Sequence, residues 1–342
     1  MATLSNINIF IPLHSTEKIF PNSNIQAICA TMQMITHFHQ APTTSQSIAI
    51  PQPRPKRQLE TERPSSSQVA NTIIQKAKAI LEPLKVYSEE GRHLKLKMYL
   101  NKKIGQLTDE LAKIKSNANA ITQLLVIAKK ESEPMGAYAM KALAMALIKQ
   151  ACNQAYINPK AAHPLAWVAC TATSQCPDFY YVLFSALFES STYTVPRYVN
   201  KKENETIEEY KQRLGYRLID GRLESDEFFF ERSCGTVIFM ASLYCLRSND
   251  IGFTNPYKVE DAWRWLASVC NLPPRMITPA LLTSFVEIAG DTLYASYNED
   301  FTKIIAYIEQ SFSRMFSKHS QSYTARLKIA LEKYKKFQKV NP

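Results

Sequence analysis

From Ser67 onward, apolar residues recur at steps of three and four positions, which is the spacing of one face of an α-helix. The first such run consists of Val69, Ile73, Ile74, Ala77, Ile80, Leu81 and Leu84. Ser65 to Ser67 supplies side-chain oxygens that can cap its first turn. The pattern therefore predicts a helix over 67–84.

The same periodicity continues along the chain, with turn signals such as Pro159, Pro164 and Pro177 between the runs. Further helices are predicted over 94–114, 119–129, 137–156, 164–174, 178–188, 207–214, 227–246, 259–271, 279–290, 292–316 and 322–337. No run shows the alternation of a strand. Glycine is scarce, with 8 in 342 residues, which disfavours folds that need many tight turns. We predict an all-α fold of stacked helical pairs.

Residues 1–66 differ from the rest of the chain. The stretch 41–68 is rich in Pro, Ser, Thr and Gln, a composition typical of extended linkers. Before it, 24–40 is predicted as a short helix. We therefore divide the chain into a flexible N-terminal segment, 1–66, and a helical domain, 67–342.

The sequence offers no recognisable catalytic constellation. It contains no phosphate-binding loop, no nucleophile elbow and no His-Glu-x-x-His helix. The carboxylates of Glu224, Asp226 and Glu227 precede an apolar run, which indicates acids in the first turn of a helix, where the helix dipole favours them. We expect a protein that is not an enzyme.

The seven cysteines are predicted to be free, buried thiols of a reducing compartment, because their number is odd and no two have Cys-x-x-Cys spacing. His37 and His39 have no nearby ligand with which to form a metal site. No apolar stretch approaches the roughly 20 residues of a membrane span, and the N-terminus does not resemble a signal peptide. The expectation is an intracellular protein without metal or membrane insertion.

The formal net charge of +11 indicates an anionic partner. Basic residues gather on the second predicted helix (Lys95, Lys97, Lys102, Lys103), around the end of the fourth (Lys149, Lys160), and at nine positions between 303 and 339. Such residues usually form a solvated face, but several that converge can bind a polyphosphate or an acidic protein. Spacing alone leaves both readings open.

Trp263 and Trp265 lie two positions apart on one predicted helix, so their side chains point about 200° apart. They cannot both face one neighbouring layer. One indole is expected at a second interface, either between two helices or at a partner surface.

Motifs spread over roughly 95–335 resemble the C-terminal domain of the Gle-one mRNA-export factor family. They are Asn101-Lys-Lys-Ile-Gly-Gln-Leu-Thr108, Lys149-Gln150, Ala161-Ala-x-Pro164, Tyr193-Thr-Val-Pro-x-Tyr198, Glu209-Tyr210, Leu214-Gly-Tyr216, Phe230-Glu-Arg-x-x-Gly235, Asn255-Pro256, Ala262-Trp-Arg-Trp-Leu-Ala267 with Asn271, Thr278, Leu282, Phe285-x-Glu-x-x-Gly290, Leu293, Tyr297 and Phe301. Each motif alone is weak, whereas the combination is specific.

The resemblance implies a HEAT/MIF4G-like helical domain that acts in poly(A) mRNA export at the cytoplasmic face of the nuclear pore complex, between nucleus and cytoplasm. In that family the domain activates a DEAD-box RNA-dependent ATPase, binds inositol hexakisphosphate in a lysine-lined pocket, and binds a phenylalanine-glycine-repeat nucleoporin. Translation initiation factors are further partners that the resemblance implies, with a role in translation regulation.

Lys103, Lys149, Lys160 and Lys303 are the basic residues that we assign to the inositol hexakisphosphate pocket. The family commonly carries a Lys-Lys pair just before the Tyr193 position, whereas this chain has Glu189 and Ser190, which puts binding of the inositol phosphate in doubt. Residues 1–66 do not resemble the family's long charged N-terminal region, so self-association and recruitment through such a region are expected to be absent or different. The alternative hypothesis is a helical scaffold that binds RNA or translation initiation factors.

Overall fold

The computed structural model describes residues 65–85, 90–197 and 199–335. These residues form twelve α-helices: α1 (Ser66–Leu81), α2 (Glu90–Gly105), α3 (Leu111–Glu131), α4 (Glu133–Gln150), α5 (Ala162–Gln175), α6 (Phe179–Ser190), α7 (Ile207–Leu214), α8 (Asp226–Cys245), α9 (Ser248–Ile251), α10 (Val259–Cys270), α11 (Thr278–Gln310) and α12 (Gln321–Lys335). The predicted helix 24–40, the linker up to residue 64 and the His37–His39 pair lie outside the described residues. The prediction of an all-α fold is confirmed.

Capping side chains fix where α1 and α7 begin. The Ser65 hydroxyl accepts a hydrogen bond from the Gln68 backbone, and the Gln68 side chain accepts one from the Ser65 backbone. Thr206 and Glu209 form the same reciprocal pair at the start of α7. Such capping boxes satisfy N–H groups that the first helical turn leaves unpaired. The prediction that Ser65 lies at the helix start is therefore confirmed.

Several predicted helix boundaries are wrong, most clearly those at Gly105 and Gly290, and the short α9 was not predicted. The run 94–114 is broken, because α2 ends at Gly105 and α3 begins at Leu111; glycine is a weak helix former and here ends the helix. The predicted break after Gly290 does not occur. Gly290 packs against the Tyr334 ring, so this glycine allows α12 to approach α11 closely. Within α11, the backbone leaves helical φ and ψ angles only at Asn298 (φ 41°, ψ −106°).

A short β-hairpin was not predicted. Its strands, β1 (Leu218–Ile219) and β2 (Arg222–Leu223), pair antiparallel and are too short to show alternation. Asp220 and Gly221 connect them with φ angles of 50° and 77°, which is the geometry that an Asp-Gly turn favours.

Contacts between helix ends fix the directions of α2, α3 and α4. Arg92 at the start of α2 pairs with Glu131 at the end of α3, so these two helices are antiparallel. His93 on α2 stacks on Tyr138 near the start of α4, with ring centroids 3.8 Å apart. Since α2 and α4 begin side by side and pack on each other, they run in the same direction.

Helix α5 runs parallel to α3. At the start of both helices, the Lys115 ammonium lies 5.7 Å from the Trp167 ring centroid. At their far ends, Lys129 pairs with Asp178 at 2.7 Å. Successive helices therefore alternate in direction, which confirms the predicted stacking of helical pairs.

Trp263 and Trp265 are both buried, at 5% and 4% exposure. Trp263 stacks on Tyr297 and Trp265 on Phe285, both on α11, and the Trp265 indole N–H donates to the Tyr193 carbonyl at 3.0 Å. Both rings therefore pack on one helix, α11, at positions twelve residues apart, so the expectation that they cannot face the same neighbouring layer is wrong. A position at a partner surface is wrong for either ring.

Free thiols are confirmed for the six cysteines within the described part of the chain, and five of the six are buried. Among the described residues, no helix is both long and apolar enough to cross a membrane.

Candidate functional site

Three of the four predicted pocket lysines lie at one end of the α2–α5 layer. Lys103 is in the last turn of α2 and Lys149 in the last turn of α4, and these helices run in the same direction. Lys160 lies in the 3-10 turn Pro159–Ala161, immediately before α5. We call the surface that carries Lys103, Lys149 and Lys160 the lysine end.

The ammonium groups at the lysine end are available to a ligand. Lys103 is half-buried and donates to the Asn117 amide oxygen at 3.4 Å. Lys149 and Lys160 are exposed, and neither has a carboxylate partner among the residues that the structure describes. Cations without an acidic partner can form charge-assisted hydrogen bonds with phosphate groups.

Lys115 is a fourth basic residue at this end that sequence reasoning missed. It is exposed near the start of α3, the helix whose start lies beside Lys103 through Asn117. By contrast, the nearby Lys113 forms an ion pair with Glu110 at 2.7 Å, so its charge is already neutralised by a carboxylate. The missed break at Gly105 explains the omission, because it hid the start of a separate helix.

Lys303 lies elsewhere. It follows the break at Asn298 in α11 and pairs with Asp300 at 3.2 Å. Tyr297, just before the break, packs on Trp263 near the start of α10. Earlier in α11, the Thr292 hydroxyl contacts the Cys245 thiol at the C-terminal end of α8. Cys245 lies ten residues, about 15 Å of helix, beyond Gly235, which packs on Ala151 at the lysine end. The segment of α11 before Lys303 therefore contacts α8 away from the other three lysines.

The position of α8 is fixed by Gly235. A Cβ atom at Gly235 would lie 2.5 Å from the Ala151 carbonyl oxygen. Ala151 begins the π-helical turn Ala151–Ala155 that extends α4, between Lys149 and Lys160. The absence of a side chain at residue 235 thus lets α8 pack directly on the backbone of the lysine end.

The family's Lys-Lys position also lies at the lysine end. Glu189 and Ser190 are the last two residues of α6, and the Ser190 carbonyl accepts a hydrogen bond at 3.2 Å from Arg232, less than one helical turn before Gly235. The Glu189 side chain is exposed. A carboxylate therefore lies at the same end of the domain as Lys103, Lys149 and Lys160.

A buried ion pair supports this region. Arg232 pairs with Glu224, and their side chains are 8% and 3% exposed. Arg232 also donates to the Gly215 carbonyl at 2.8 Å, and Glu224 accepts from the Arg217 backbone at 2.8 Å. Together these bonds hold the segment between α6 and α8 in place.

The placement of Glu224 corrects a sequence-based interpretation. Asp226 and Glu227 do lie in the first turn of α8 behind the N-cap Ser225. Glu224 instead belongs to the buried pair, and only the distant Arg232 gives it that role.

The described residues contain no group of side chains that could hold a metal ion. Burial raises the pKa of the Cys234 thiol to about 12 and that of Cys245 to about 11, which keeps both protonated and unreactive at neutral pH.

Comparison with known proteins agrees with the motif series. A family model described as GLE1-like protein matches residues 71–309. The mRNA export factor GLE1 of Mus musculus is 30% identical over 173 residues, which cover 50% of this chain and 25% of the mouse protein. The mRNA export factor gle1 of Schizosaccharomyces pombe is 24% identical over 304 residues, covering 83% of this chain and 60% of the relative. The chain thus matches a quarter of the mouse protein's length.

Among solved structures, a chain in the complex of the Saccharomyces cerevisiae Dbp5 C-terminal domain with Gle1 and IP6 superposes with a TM-score of 0.69 at 21% identity. The match covers 79% of this chain and 95% of that chain, and it shows that the two share a fold. Because the family model covers most of the helical domain, the chain belongs to the GLE1-like family of mRNA export factors.

Proposed function

We propose that this chain acts in poly(A) mRNA export as a non-enzymatic activator of a DEAD-box RNA-dependent ATPase. The observation that carries the proposal is the family match over residues 71–309. The fold is also that of a structure whose name gives a complex with the Dbp5 C-terminal domain. The regulatory domain in this proposal is 67–342, and its place of action is the cytoplasmic face of the nuclear pore complex, where a phenylalanine-glycine-repeat nucleoporin is a second partner.

The activation is allosteric in this proposal. A DEAD-box ATPase has two lobes, and a partner that binds one arrangement of them more tightly shifts the population towards it. The stacked helices of α2–α5 are suited to this role, because their ends are fixed by contacts such as His93–Tyr138 and Lys129–Asp178. The chain then needs no catalytic side chain of its own.

Inositol hexakisphosphate is proposed to bind at the lysine end through Lys103, Lys149 and Lys160, with Lys115 as an additional contact. These residues come from three helices and a turn that meet at one end of a layer, and several cations together can match a multiply charged anion. Glu189 opposes the ligand's charge, so we expect weaker binding than with a Lys-Lys pair. Lys303 is left out, because it lies elsewhere and pairs with Asp300.

An ATPase assay with the DEAD-box ATPase of the same organism tests the proposal. The chain is expected to raise RNA-dependent ATP hydrolysis, and inositol hexakisphosphate is expected to increase this stimulation. Replacing Lys103, Lys149 and Lys160 together with alanine should remove the increase, whereas Lys303→Ala should retain it. A chain that neither binds nor stimulates the ATPase would contradict the proposed function.

A further inference from the structure

A second basic surface lies at the C-terminal side of the domain. An open groove separates the end of α11 and the 3-10 turn Phe312–Met315 from α12. It is lined by Glu309, Gln310, Ser313, Arg314, Thr324 and Lys328. Arg314 and Lys328 belong to the nine basic positions between 303 and 339, for which spacing alone left a solvated face and an anion-binding surface both open.

Two cations in the groove are free to bind a ligand. Arg314 on the 3-10 turn and Lys328 on α12 are exposed, and neither has an ion pair with any residue that the structure describes. Other basic residues nearby are engaged: Lys333 pairs with Asp291, and the Arg326 guanidinium lies over the Tyr156 ring at 5.9 Å. The groove therefore holds two cations without an ion pair and one carboxylate, that of Glu309.

The groove faces away from the lysine end. Arg326 and Lys328 are two positions apart on α12, so their side chains point to opposite sides of the helix. Arg326 faces Tyr156, which follows the π-helical turn after α4. Thr324 shares the face of Lys328, because residues four apart lie one above the other.

The groove also offers hydrogen-bond acceptors. The Ser313 hydroxyl donates its proton to the Ile308 carbonyl at 2.6 Å, and the Thr324 hydroxyl donates to the Ser320 carbonyl at 2.8 Å. With their protons used, both oxygens face a ligand only as acceptors. A bare phosphate gains nothing from acceptors, whereas a ribose–phosphate chain presents anionic oxygens together with 2′-hydroxyl donors.

We infer that this groove binds the backbone of single-stranded RNA without sequence preference. Arg314 and Lys328 contact phosphates, and Ser313 and Thr324 accept hydrogen bonds from ribose hydroxyls. None of the six lining residues is aromatic, so the groove has no platform on which bases could stack. Recognition is therefore of the backbone, and the inference does not depend on the proposed activation of an ATPase.

Fluorescence anisotropy with a labelled oligouridylate, measured over a series of salt concentrations, tests the inference. The double variant R314E/K328E is expected to bind at least about tenfold more weakly than the unmodified chain. Its slope of log affinity against log salt should fall by about 1.4, since each phosphate contact on a single strand contributes about 0.7. The variant K95E/K97E changes the net charge equally at two exposed positions of α2 and should lose much less affinity.

Several outcomes would overturn the inference. They are no binding of oligouridylate by the unmodified chain at low salt, an unchanged affinity of R314E/K328E, and an equal loss in both double variants. Far-UV circular dichroism verifies that all variants are folded. An oligodeoxyuridylate of the same length should bind more weakly, and equal binding would contradict the role of the ribose hydroxyls.

Discussion

The backbone of Gly235 on α8 lies against the carbonyl oxygen of Ala151, at the start of the π-helical turn that extends α4. A Cβ atom at residue 235 would come within 2.5 Å of that oxygen, so Gly235→Ala must push α8 away from the lysine end. Overpacking of this kind costs about 1–3 kcal/mol or more of unfolding free energy. Urea unfolding followed by circular dichroism measures the loss.

Gly105→Ala is the matched control for this prediction. Gly105 is the last residue of α2, and a Cβ atom there meets nothing within 4 Å. Since alanine restricts the unfolded chain more than glycine does, this variant should be as stable as the unmodified chain or up to about 1 kcal/mol more stable. If both variants unfold at the same urea concentration, the close approach of α8 to Ala151 is not important.

Arg232→Leu is expected to destabilise the domain strongly. The substitution leaves the buried Glu224 carboxylate without its partner, and breaking a buried ion pair in this way costs about 3–5 kcal/mol. It also removes the hydrogen bonds to the Ser190 and Gly215 carbonyls. Thermal and urea unfolding provide the measurement.

Lys85→Leu breaks an exposed pair with Glu82, whose side chains are 71% and 61% exposed. Exposed pairs contribute about 0–1 kcal/mol, because water and salt screen the charges. A loss for Arg232→Leu as small as that for Lys85→Leu would show that the Glu224–Arg232 pair does not stabilise the segment between α6 and α8.

Glu189→Lys should increase the affinity for inositol hexakisphosphate by about tenfold, equivalent to about 1.4 kcal/mol. The change removes a negative charge from the lysine end and adds a positive one at the first position of the family's Lys-Lys pair. Isothermal titration calorimetry measures the effect. Glu332→Lys makes the same charge change near the C-terminal end of α12 and should leave the affinity within about twofold; an equal gain in both variants would indicate an effect of net charge alone.

The ion pair of Glu205 and Arg213 should make the free energy of unfolding depend on pH. Hydrogen bonds from the Arg213 guanidinium, and one from the Lys202 backbone, lower the pKa of Glu205 to about 2 from its ordinary 4.5. A carboxyl with a lowered pKa stabilises the folded state above its unfolded pKa, and this stabilisation is lost as the pH falls through the folded value. The contribution is therefore full above about pH 5 and disappears towards pH 2.

Glu205→Gln tests this dependence. Its difference in unfolding free energy from the unmodified chain should be largest near neutral pH and should shrink as the pH falls from about 5 to about 2. Glu203→Gln, at an exposed position nearby, controls for the change in net charge. A difference that is constant over this pH range would contradict the pairing of Glu205 with Arg213.

Helix periodicity predicted most of the fold because each helix buries one face of its own sequence. Residues 207–214 were predicted with the observed bounds of α7, since a Thr-x-x-Glu capping box and the left-handed Gly215 mark its two ends locally. Gly290 misled the prediction for the opposite reason. Its role is to make room for Tyr334 on another helix, and no local signal distinguishes a packing glycine from a terminating one.

The candidate site was only partly predictable. The family resemblance supplied Lys103, Lys149, Lys160 and Lys303, but spacing along the chain could not show which of them lie together. Lys115 was missed, because it lies near Lys103 only if α3 begins beside the end of α2.

By itself, the sequence determined that the chain is helical, where most helices begin and end, and to which family it belongs, because caps, apolar spacing and motifs are properties of neighbouring residues. Only the tertiary structure decided that Lys103, Lys149 and Lys160 share one end and that Glu224 is buried against Arg232. These relationships depend on the directions in which helices pack, and the directions are fixed by contacts between residues far apart in the chain.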